Sequence, residues 1–210
     1  MNDRLTPRIS SRKHPKQTRS AGLVAAILEA AVRVLAEEGA QRFTTARVAE
    51  KAGVSVGSLY QYFPNKASIL YRLQSDEWKE TTEQWRVILG DTARPPLDRL
   101  RDVVRSFLRS EAEEASLRVA LDDAAPLYRN AVEAEEIHSE GDRIVAAFMV
   151  EALPGAQAPA REMAANLIVM TMTAVGKELT EKPRPAAEID AYADEMSHML
   201  SAYLTSLQRV

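Results

Sequence analysis

Apolar residues recur every three or four positions along almost the whole chain, which is the spacing of one face of an α-helix. The first stripe contains Leu23, Ile27, Leu28 and Leu35 and ends before Gly39, a residue that can close a helix. No segment alternates apolar and polar residues between turn signals, as a half-buried strand would. The pattern therefore predicts an all-α protein of about nine helices.

Three capping signals follow between residues 44 and 66. Thr44 or Thr45 can cap a short helix that Gly53 ends, since glycine tolerates the left-handed conformation at a helix end. Ser55 can cap the next helix, VGSLYQYF, and Asn65 can cap the long helix after it. Two short helices joined by a tight turn and packed across a first helix form a helix-turn-helix, which places its second helix in the major groove of DNA.

The rest of the chain continues the helical pattern and ends in two long amphipathic helices, 160–180 and 186–208. We therefore predict an N-terminal three-helix domain followed by a larger helical domain. The predicted boundaries are a flexible basic arm at 1–19, a helix-turn-helix domain at 20–66, and the larger domain at 67–210.

Composition narrows the class of protein. The 210 residues are 46% hydrophobic and 27% charged, as in ordinary globular proteins. No apolar run is long enough for a transmembrane helix, and MNDRLTPRIS lacks the apolar core of a secretory signal. The absence of cysteine excludes disulfides and thiolate metal sites and fits a reducing compartment, so a cytoplasmic location is expected.

Charge is distributed unevenly along the chain. Residues 1–66 contain eleven Lys and Arg against five Asp and Glu, whereas residues 67–210 contain 16 against 25. A basic front on an acidic body favours contact between the front and a polyanion. The alternative is a solvated basic arm with no DNA contact.

The stretch TTARVAEKAGVSVGSLYQYFPNKASIL, residues 44–70, resembles the DNA-binding signature of the TetR/AcrR family of transcriptional regulators. Almost every fixed position of that signature is present, and the resemblance extends over residues 23–70. It implies a homodimer that binds double-stranded DNA and a small-molecule effector, with no membrane association. It implies no catalytic residue, no cofactor and no metal site.

The resemblance also implies which residues contact DNA. Phosphates would be bound by Thr45, Tyr60, Tyr62 and Lys66, and base edges would be met by residues 55–58. The arginine that some members carry after the threonine is replaced by Ala46, so Arg47 is expected to contact either a base or a phosphate. The predicted contacts are Thr45, Arg47, Ser55, Val56, Gly57, Ser58, Tyr60, Gln61, Tyr62 and Lys66.

Each of these residues also has an ordinary structural explanation. Either tyrosine can be a core aromatic, Val56 can be a merely exposed side chain, and Lys66 can be a solvated lysine. Gly57 near the start of a helix costs roughly 1 kcal/mol relative to alanine. Close approach of that helix to DNA would explain why the glycine is there.

The last two helices carry long apolar stripes. On pattern alone such stripes fit an intramolecular core as well as an interface. The resemblance implies that they form a four-helix bundle with the same helices of a second copy. The predicted interface residues are Leu167, Ile168, Thr171, Val175, Tyr192, Met196, Met199 and Tyr203.

The resemblance places an effector pocket among the middle helices. A plain core role is the alternative for every candidate, and the residues do not identify the ligand. The candidates are Trp85, Phe107, Leu121, Tyr128, Phe148, Met149, Asn166, Met170 and Thr173.

A ligand-responsive repressor, released from a near-palindromic operator by a small molecule, is the leading hypothesis. The alternative is a DNA-binding protein of the same fold that a protein partner controls. An enzyme is disfavoured, because the three histidines lie far apart in sequence and no Gly-rich phosphate loop is present.

Overall fold

The computed structural model describes residues 18–127 and 132–208, apart from the side chains of 18, 19 and 132–138. This part of the chain contains nine α-helices, one 3₁₀ turn and no strand, so the all-α prediction is confirmed. Most of the predicted basic arm and Tyr128 lie outside the described residues. The helices are α1 Thr18–Arg42, α2 Thr45–Lys51, α3 Val56–Tyr60, α4 Lys66–Gly90, α5 Pro96–Glu113, α6 Ala115–Ala124, α7 Val132–Ala152, α8 Ala158–Thr180 and α9 Ala186–Leu207, and the 3₁₀ turn is Ala125–Leu127.

None of the described helices is both long enough and apolar enough to span a bilayer.

Two glycines end helices as the sequence predicts. The backbone of α1 leaves the helical conformation at Gly39, where φ is 73°. Gly53 has φ 67° directly after α2. A side chain at either position would be strained, because L-residues rarely adopt positive φ. Gly53 therefore follows the end of α2, whereas Gly39 breaks α1 shortly before its last residue, Arg42.

The predicted N-caps are present at three successive helices. The Arg47 N–H donates to Thr44 Oγ1 at 3.3 Å, so Thr44 caps α2. The Ser58 N–H donates to Ser55 Oγ at 3.0 Å at the start of α3. The N–H of the third residue of α4 donates to Asn65 Oδ1 at 2.9 Å. Each cap satisfies a backbone donor that has no partner inside its helix.

The chain groups into two compact units. Unit 1 contains Met1–Glu77 and Ser116–Glu135, and unit 2 contains Trp78–Ala115 and Glu136–Val210. The sequence places a boundary at residue 66 instead, where the pattern of short helices ends. No linker marks the division at residue 77, because α4 continues through it without a break.

Unit 1 is built on the packing of α1 against α2 and of α2 against α3. Its buried side chains include Ile27 and Leu35 on α1, Val48 on α2 and Leu59 on α3, and Phe63 follows α3. All five are 1% exposed or less. Their burial fixes the orientation of α3 and therefore which of its side chains face outward.

Unit 2 is organised around α5, which packs against α8 and α9. Leu100, Val104 and Leu108 form the buried face of α5. At the surface, Arg109 Nε donates to Asp190 Oδ1 on α9 at 2.7 Å. The hydrogen bond from Arg109 lowers the pKa of Asp190 below its ordinary value. The ion pair therefore reinforces the apolar packing of α5 on α9.

Helix α8 approaches α5 closely at Gly176. A Cβ atom at this position would lie 2.9 Å from Glu111 Cγ and 3.0 Å from Phe107 Cε1. We expect Gly176→Ala to lower the free energy of unfolding by about 1–2 kcal/mol, because overpacking outweighs the gain in helix propensity. Urea unfolding followed by helical circular dichroism measures this change.

Gly141→Ala on α7 is the matched control. A Cβ there meets nothing closer than Thr82 Oγ1 at 3.8 Å. The free energy of unfolding of this variant is expected to rise by about 0.5–1 kcal/mol, because alanine has a higher helix propensity than glycine. Equal stability of the two variants would show that the contact at Gly176 is not tight.

Candidate nucleic-acid interface and ligand cavity

The exposed side of α3 and of the residue after it forms a small surface, which we call the α3 surface. It consists of Val56, Gly57, Tyr60 and Gln61, all of which are exposed. The buried side of the same helix is Leu59, which is fully covered. Since a helix of five residues turns only once, burial of Leu59 sends these neighbours outward.

A hydroxyl pair lies at one end of the α3 surface. Thr45 Oγ1 and Tyr60 OH are 3.0 Å apart, within hydrogen-bond distance. Thr45 is the first residue of α2 and Tyr60 is the last residue of α3, so the bond connects the two helices. One hydroxyl donates to the other, which leaves one O–H of the pair free to donate to another acceptor.

The two serines are bonded to each other at the start of α3. Ser55 Oγ and Ser58 Oγ are 2.8 Å apart, and Ser55 Oγ also accepts from the Ser58 N–H. The predicted base contacts Ser55 and Ser58 are therefore first of all a helix cap. Only one of their two O–H groups remains available as a donor, because the other is used between them.

Tyr62 does not face outward as the sequence suggests. Its side chain is only 8% exposed, whereas that of Tyr60 is 40% exposed. Tyr62 comes directly before the buried Phe63, after the last residue of α3, where the chain turns inward. The core role that the sequence left open therefore describes Tyr62, which leaves Tyr60 as the exposed tyrosine of the two.

Two of the basic residues near this surface are already paired. Arg47 forms a salt bridge with Glu38, and Lys51 Nζ lies 2.8 Å from Glu37 Oε2. Only Nη1 of Arg47 is used in these contacts, so the Nε and Nη2 donors stay available to another acceptor. The sequence identifies the arginine but not its partner, because the two are nine positions apart and on different helices.

Two other cations near this surface are free in the described part of the chain. The side chain of Lys66, the exposed first residue of α4, has no hydrogen-bond or ion-pair partner there, and neither has the side chain of the exposed Arg42 at the end of α1. Cations without a partner are available to phosphates. Arg42 was missed from the sequence, because only its place at the α1–α2 junction distinguishes it from other surface arginines.

An apolar cavity lies in the core of unit 2. Its volume is about 10 Å³, room for no more than one water molecule. The Trp85 indole N–H is its one polar group and has no acceptor among the described residues. The cavity is lined by Trp85, Leu89, Leu100, Val103, Val145, Phe148, Met149, Ile168, Val169 and Met172.

A larger groove of about 550 Å³ lies between α7 and α8, and we call it the α7–α8 groove. Its floor is apolar, and charged side chains stand at its rim. Arg143 on the rim donates through Nε to the Ser139 carbonyl at 3.1 Å. The groove is lined by Ser139, Asp142, Arg143, Val145, Ala146, Met149, Val150, Ala158, Arg161, Glu162, Ala165, Asn166 and Val169.

The predicted pocket residues divide among these features. Trp85, Phe148 and Met149 line the cavity, and Asn166 lines the groove together with Met149. Phe107 meets the Trp85 ring edge-on, with the ring centroids 6.0 Å apart.

Four of the predicted pocket residues that the structure describes, Phe107 among them, line neither space. Met170 and Thr173 lie on the exposed side of α8, because the helical period that buries 168 and 172 turns them outward. Leu121 is buried in unit 1, to which most of α6 belongs, and so it is separate from the core of unit 2.

The predicted interface residues also divide by burial. Leu167, Tyr192 and Met199 are exposed. Thr171, Val175 and Tyr203 are half-buried.

Ile168 and Met196 are wrong as interface residues, since both are buried in the core of unit 2. Met163 and Met170, which the sequence did not assign to the interface, are 66% and 65% exposed on the same outward face of α8 as Leu167. We call the exposed Met163, Leu167, Met170, Tyr192 and Met199 the α8–α9 apolar face.

Known proteins resemble this chain in part. The HTH-type transcriptional repressor KstR of Rhodococcus jostii is 28% identical over 131 residues, which are 61% of this chain and 60% of that protein. The nucleoid occlusion factor SlmA of Vibrio campbellii is 33% identical over 121 residues, 56% of this chain and 60% of that protein. The chain therefore spans about 60% of the length of these curated relatives.

Solved structures share the fold over most of the chain. The fatty acid degradation regulator FadR of Bacillus halodurans superposes with a TM-score of 0.69 at 18% identity, covering 89% of this chain and 96% of that one. The transcriptional regulator FadR of Bacillus subtilis, solved in complex with stearoyl-CoA, has a TM-score of 0.66 at 19% identity and covers 84% and 97%.

Two family models match the chain directly. Residues 27–73 match the bacterial regulatory proteins of the tetR family, and this range contains α2, α3 and their caps. Residues 95–207 match the tetracyclin repressor-like C-terminal domain, which is more than half of the chain. The chain therefore belongs to the TetR family of bacterial transcriptional regulators.

Proposed function

We propose that this protein is a transcriptional repressor that binds a near-palindromic DNA operator as a homodimer and is released by a small-molecule effector. The observation that carries the proposal is the α3 surface, together with the Thr45–Tyr60 hydroxyl pair and the exposed ammonium group of Lys66. An exposed helix surface with phosphate-binding groups on the helices before and after it supports docking of α3 in the major groove.

Phosphate binding is assigned to Tyr60, Thr45 and Lys66. Hydroxyls and ammonium groups are common donors to phosphate oxygens. Lys66 is also the first residue of α4, where the free N–H groups and the helix dipole favour an anion. Arg42 and Arg47 are secondary candidates, and Arg47 would use the donors that its salt bridge with Glu38 leaves open.

Base reading is assigned to Val56, Gly57 and Gln61. Val56 can contact a thymine methyl group, and Gln61 offers a side-chain amide for paired hydrogen bonds. No exposed arginine lies on the α3 surface itself. Operator choice therefore depends on apolar contact, Gln61 and DNA shape.

Dimerisation is assigned to the α8–α9 apolar face. Five large apolar side chains exposed on two adjacent helices are more than a monomer surface commonly shows. A two-fold pair of α3 surfaces would read two equivalent half-sites, which explains the near-palindromic operator.

Effector control is supported by the cavity and groove of unit 2, and by the structural neighbour that was solved with stearoyl-CoA. The effector must bind the DNA-incompetent state more tightly, typically by about 1–3 kcal/mol. The small volume of the interior cavity, about 10 Å³, favours the second candidate, a DNA-binding protein that a protein partner controls.

The test of DNA binding begins with selection of duplexes from a random pool by the intact protein. We expect a near-palindromic consensus. On that duplex, Tyr60→Phe and Lys66→Ala should each weaken binding about tenfold. Lys66→Ala should also reduce the steepness of the plot of log binding constant against log salt concentration by about one.

Lys79→Ala is the matched control, because Lys79 is an exposed lysine on the same helix within unit 2. It should leave DNA affinity unchanged. Failure to select any duplex, or equal effects of Lys66→Ala and Lys79→Ala, would contradict the proposed DNA contacts. A thermal-shift screen separates the two candidates, since only the first requires a compound that both raises Tm and releases DNA.

A further inference from the structure

The interior cavity and the α7–α8 groove share part of their walls. Val145, Met149 and Val169 line both spaces. Val145 and Met149 are 5% and 1% exposed, so they separate the cavity from the groove as a thin apolar partition. A change of Met149 rotamer would join the two spaces, because its unbranched side chain adapts readily to its surroundings.

The groove is large enough for a ligand, whereas the cavity holds no more than one water molecule until Met149 moves and enlarges it. Its volume of about 550 Å³ lies within the range of small-molecule sites. Its floor is made by Ala146, Val150, Ala165 and the partition, which suits a hydrocarbon chain. The hydrocarbon chain of such a ligand would continue past Met149 towards Trp85.

The rim of the groove differs in how its charges are held. Asp142 and Glu162 are exposed and therefore hydrated, whereas Arg161 is half-buried. The Arg161 guanidinium has no hydrogen-bond or ion-pair partner in the part of the chain that the structure describes. Arg143 is fixed by donating to the carbonyl and hydroxyl of Ser139, which leaves three of its five N–H groups free. Two guanidinium groups above an apolar floor match a ligand with an anionic head and a hydrocarbon body.

We infer that the effector is an anionic amphiphile whose head binds Arg161 and Arg143 in the α7–α8 groove and whose chain displaces Met149 to enter the interior cavity. This inference rests on the proposed function for the consequence of binding, but not for the site itself. Trp85 lies at the far end of the path, where its unpaired N–H can meet an acceptor on the effector.

The head group is tested with four probes that share one twelve-carbon chain: dodecanoate, dodecyl phosphate, dodecanol and dodecylammonium, each below its micellar concentration. Calorimetry on the intact protein should show the two anions binding at least about tenfold more tightly than the alcohol or the cation. The tighter of the two anions identifies the head as carboxylate or phosphate. Equal binding of dodecylammonium would overturn the inference.

Arg161→Gln tests the residue. It should weaken binding of the anions about tenfold and leave dodecanol unchanged, since only a charged head uses the guanidinium. Arg101→Gln is the matched control, because Arg101 is exposed on α5 and does not line the groove. Equal losses in the two variants would overturn the assignment.

The path past Met149 is tested by the fluorescence of Trp85, measured in Trp78→Phe so that only one indole emits. When the more tightly binding anion is added, entry of its hydrocarbon chain into the cavity should change the fluorescence emission of Trp85. If Trp78→Phe does not fold, the complementary variant Trp85→Phe should lose the signal. Binding without any change at Trp85 would overturn entry into the cavity.

Failure of this inference and failure of the proposed function give different results. Normal binding of the selected duplex without binding of any twelve-carbon anion would overturn the inference alone. No binding of duplex DNA would overturn the proposed function alone. If the anions bind in the α7–α8 groove but do not release DNA, the binding site is supported and the effector role is contradicted.

Discussion

Replacing Gly57 with alanine is expected to weaken operator binding at least about tenfold while leaving the protein as stable as before or slightly more stable. Inside the protein a Cβ at residue 57 meets only Ser55 Oγ, at 3.8 Å, so nothing in the fold requires glycine. In a helix, alanine is favoured over glycine by about 0.5–1 kcal/mol. The expected loss of affinity comes from outside the molecule, where a methyl group would separate α3 from the floor of the major groove.

Two other glycines are the controls. Gly141→Ala also adds a methyl group to a helix with room for it, but in unit 2, so it should leave DNA affinity unchanged. Gly53→Ala should instead destabilise the protein by about 1 kcal/mol or more, because its φ of 67° is strained for alanine. Affinity is measured by fluorescence anisotropy on the selected duplex, and stability by urea unfolding. Unchanged affinity of Gly57→Ala would mean that α3 does not approach DNA at this residue.

Replacing Arg99 with methionine is expected to lower the free energy of unfolding by about 2–4 kcal/mol. Arg99 is fully buried on α5, and its Nη1 donates to the Leu89 carbonyl at 2.5 Å. That carbonyl is among the last of α4 and has no partner within its own helix. The guanidinium also pairs with Glu151 and lies 5.6 Å from the centroid of the Phe148 ring. Methionine keeps most of the volume and loses all three interactions.

Glu151→Gln separates these interactions. Glu151 is 40% exposed, so its carboxylate is partly hydrated and the substitution keeps an acceptor for Arg99. Its cost is expected to be about 1 kcal/mol or less, as for a largely exposed ion pair. Unfolding is measured at one protein concentration, because the proposed dimerisation would make stability depend on concentration. If Arg99→Met and Glu151→Gln lower the free energy of unfolding equally, the hydrogen bond from Arg99 to the end of α4 contributes little.

Local features of this protein could be predicted residue by residue. Gly39 and Gly53 end helices, and Thr44, Ser55 and Asn65 cap them, because these effects depend on backbone conformation and on neighbours within three positions. The helix-turn-helix followed from them, since short capped helices at this spacing pack in few ways. The spacing and capping signals were therefore sufficient for the candidate DNA-binding surface.

Which side chains face the core could not be predicted so well. Tyr60 and Tyr62 are of one type and two positions apart, yet only Tyr62 is buried. Ile168 and Met196 are in the core, whereas Leu167 and Met199, in the same predicted stripes, are exposed. A broad apolar stripe covers two faces of a helix, and the neighbouring helices determine which of them is covered.

The sequence by itself determined the all-α fold, the order of the helices, the glycine positions at helix ends and the candidate reading surface at residues 56–61, because each depends on short-range backbone preference and helical period. Only the tertiary structure decided that Arg47 pairs with Glu38, that Arg99 caps α4, and that Met149 separates a groove from a cavity. These contacts join residues from different helices. Their formation depends on the angle and depth at which the helices pack, which a linear pattern does not contain.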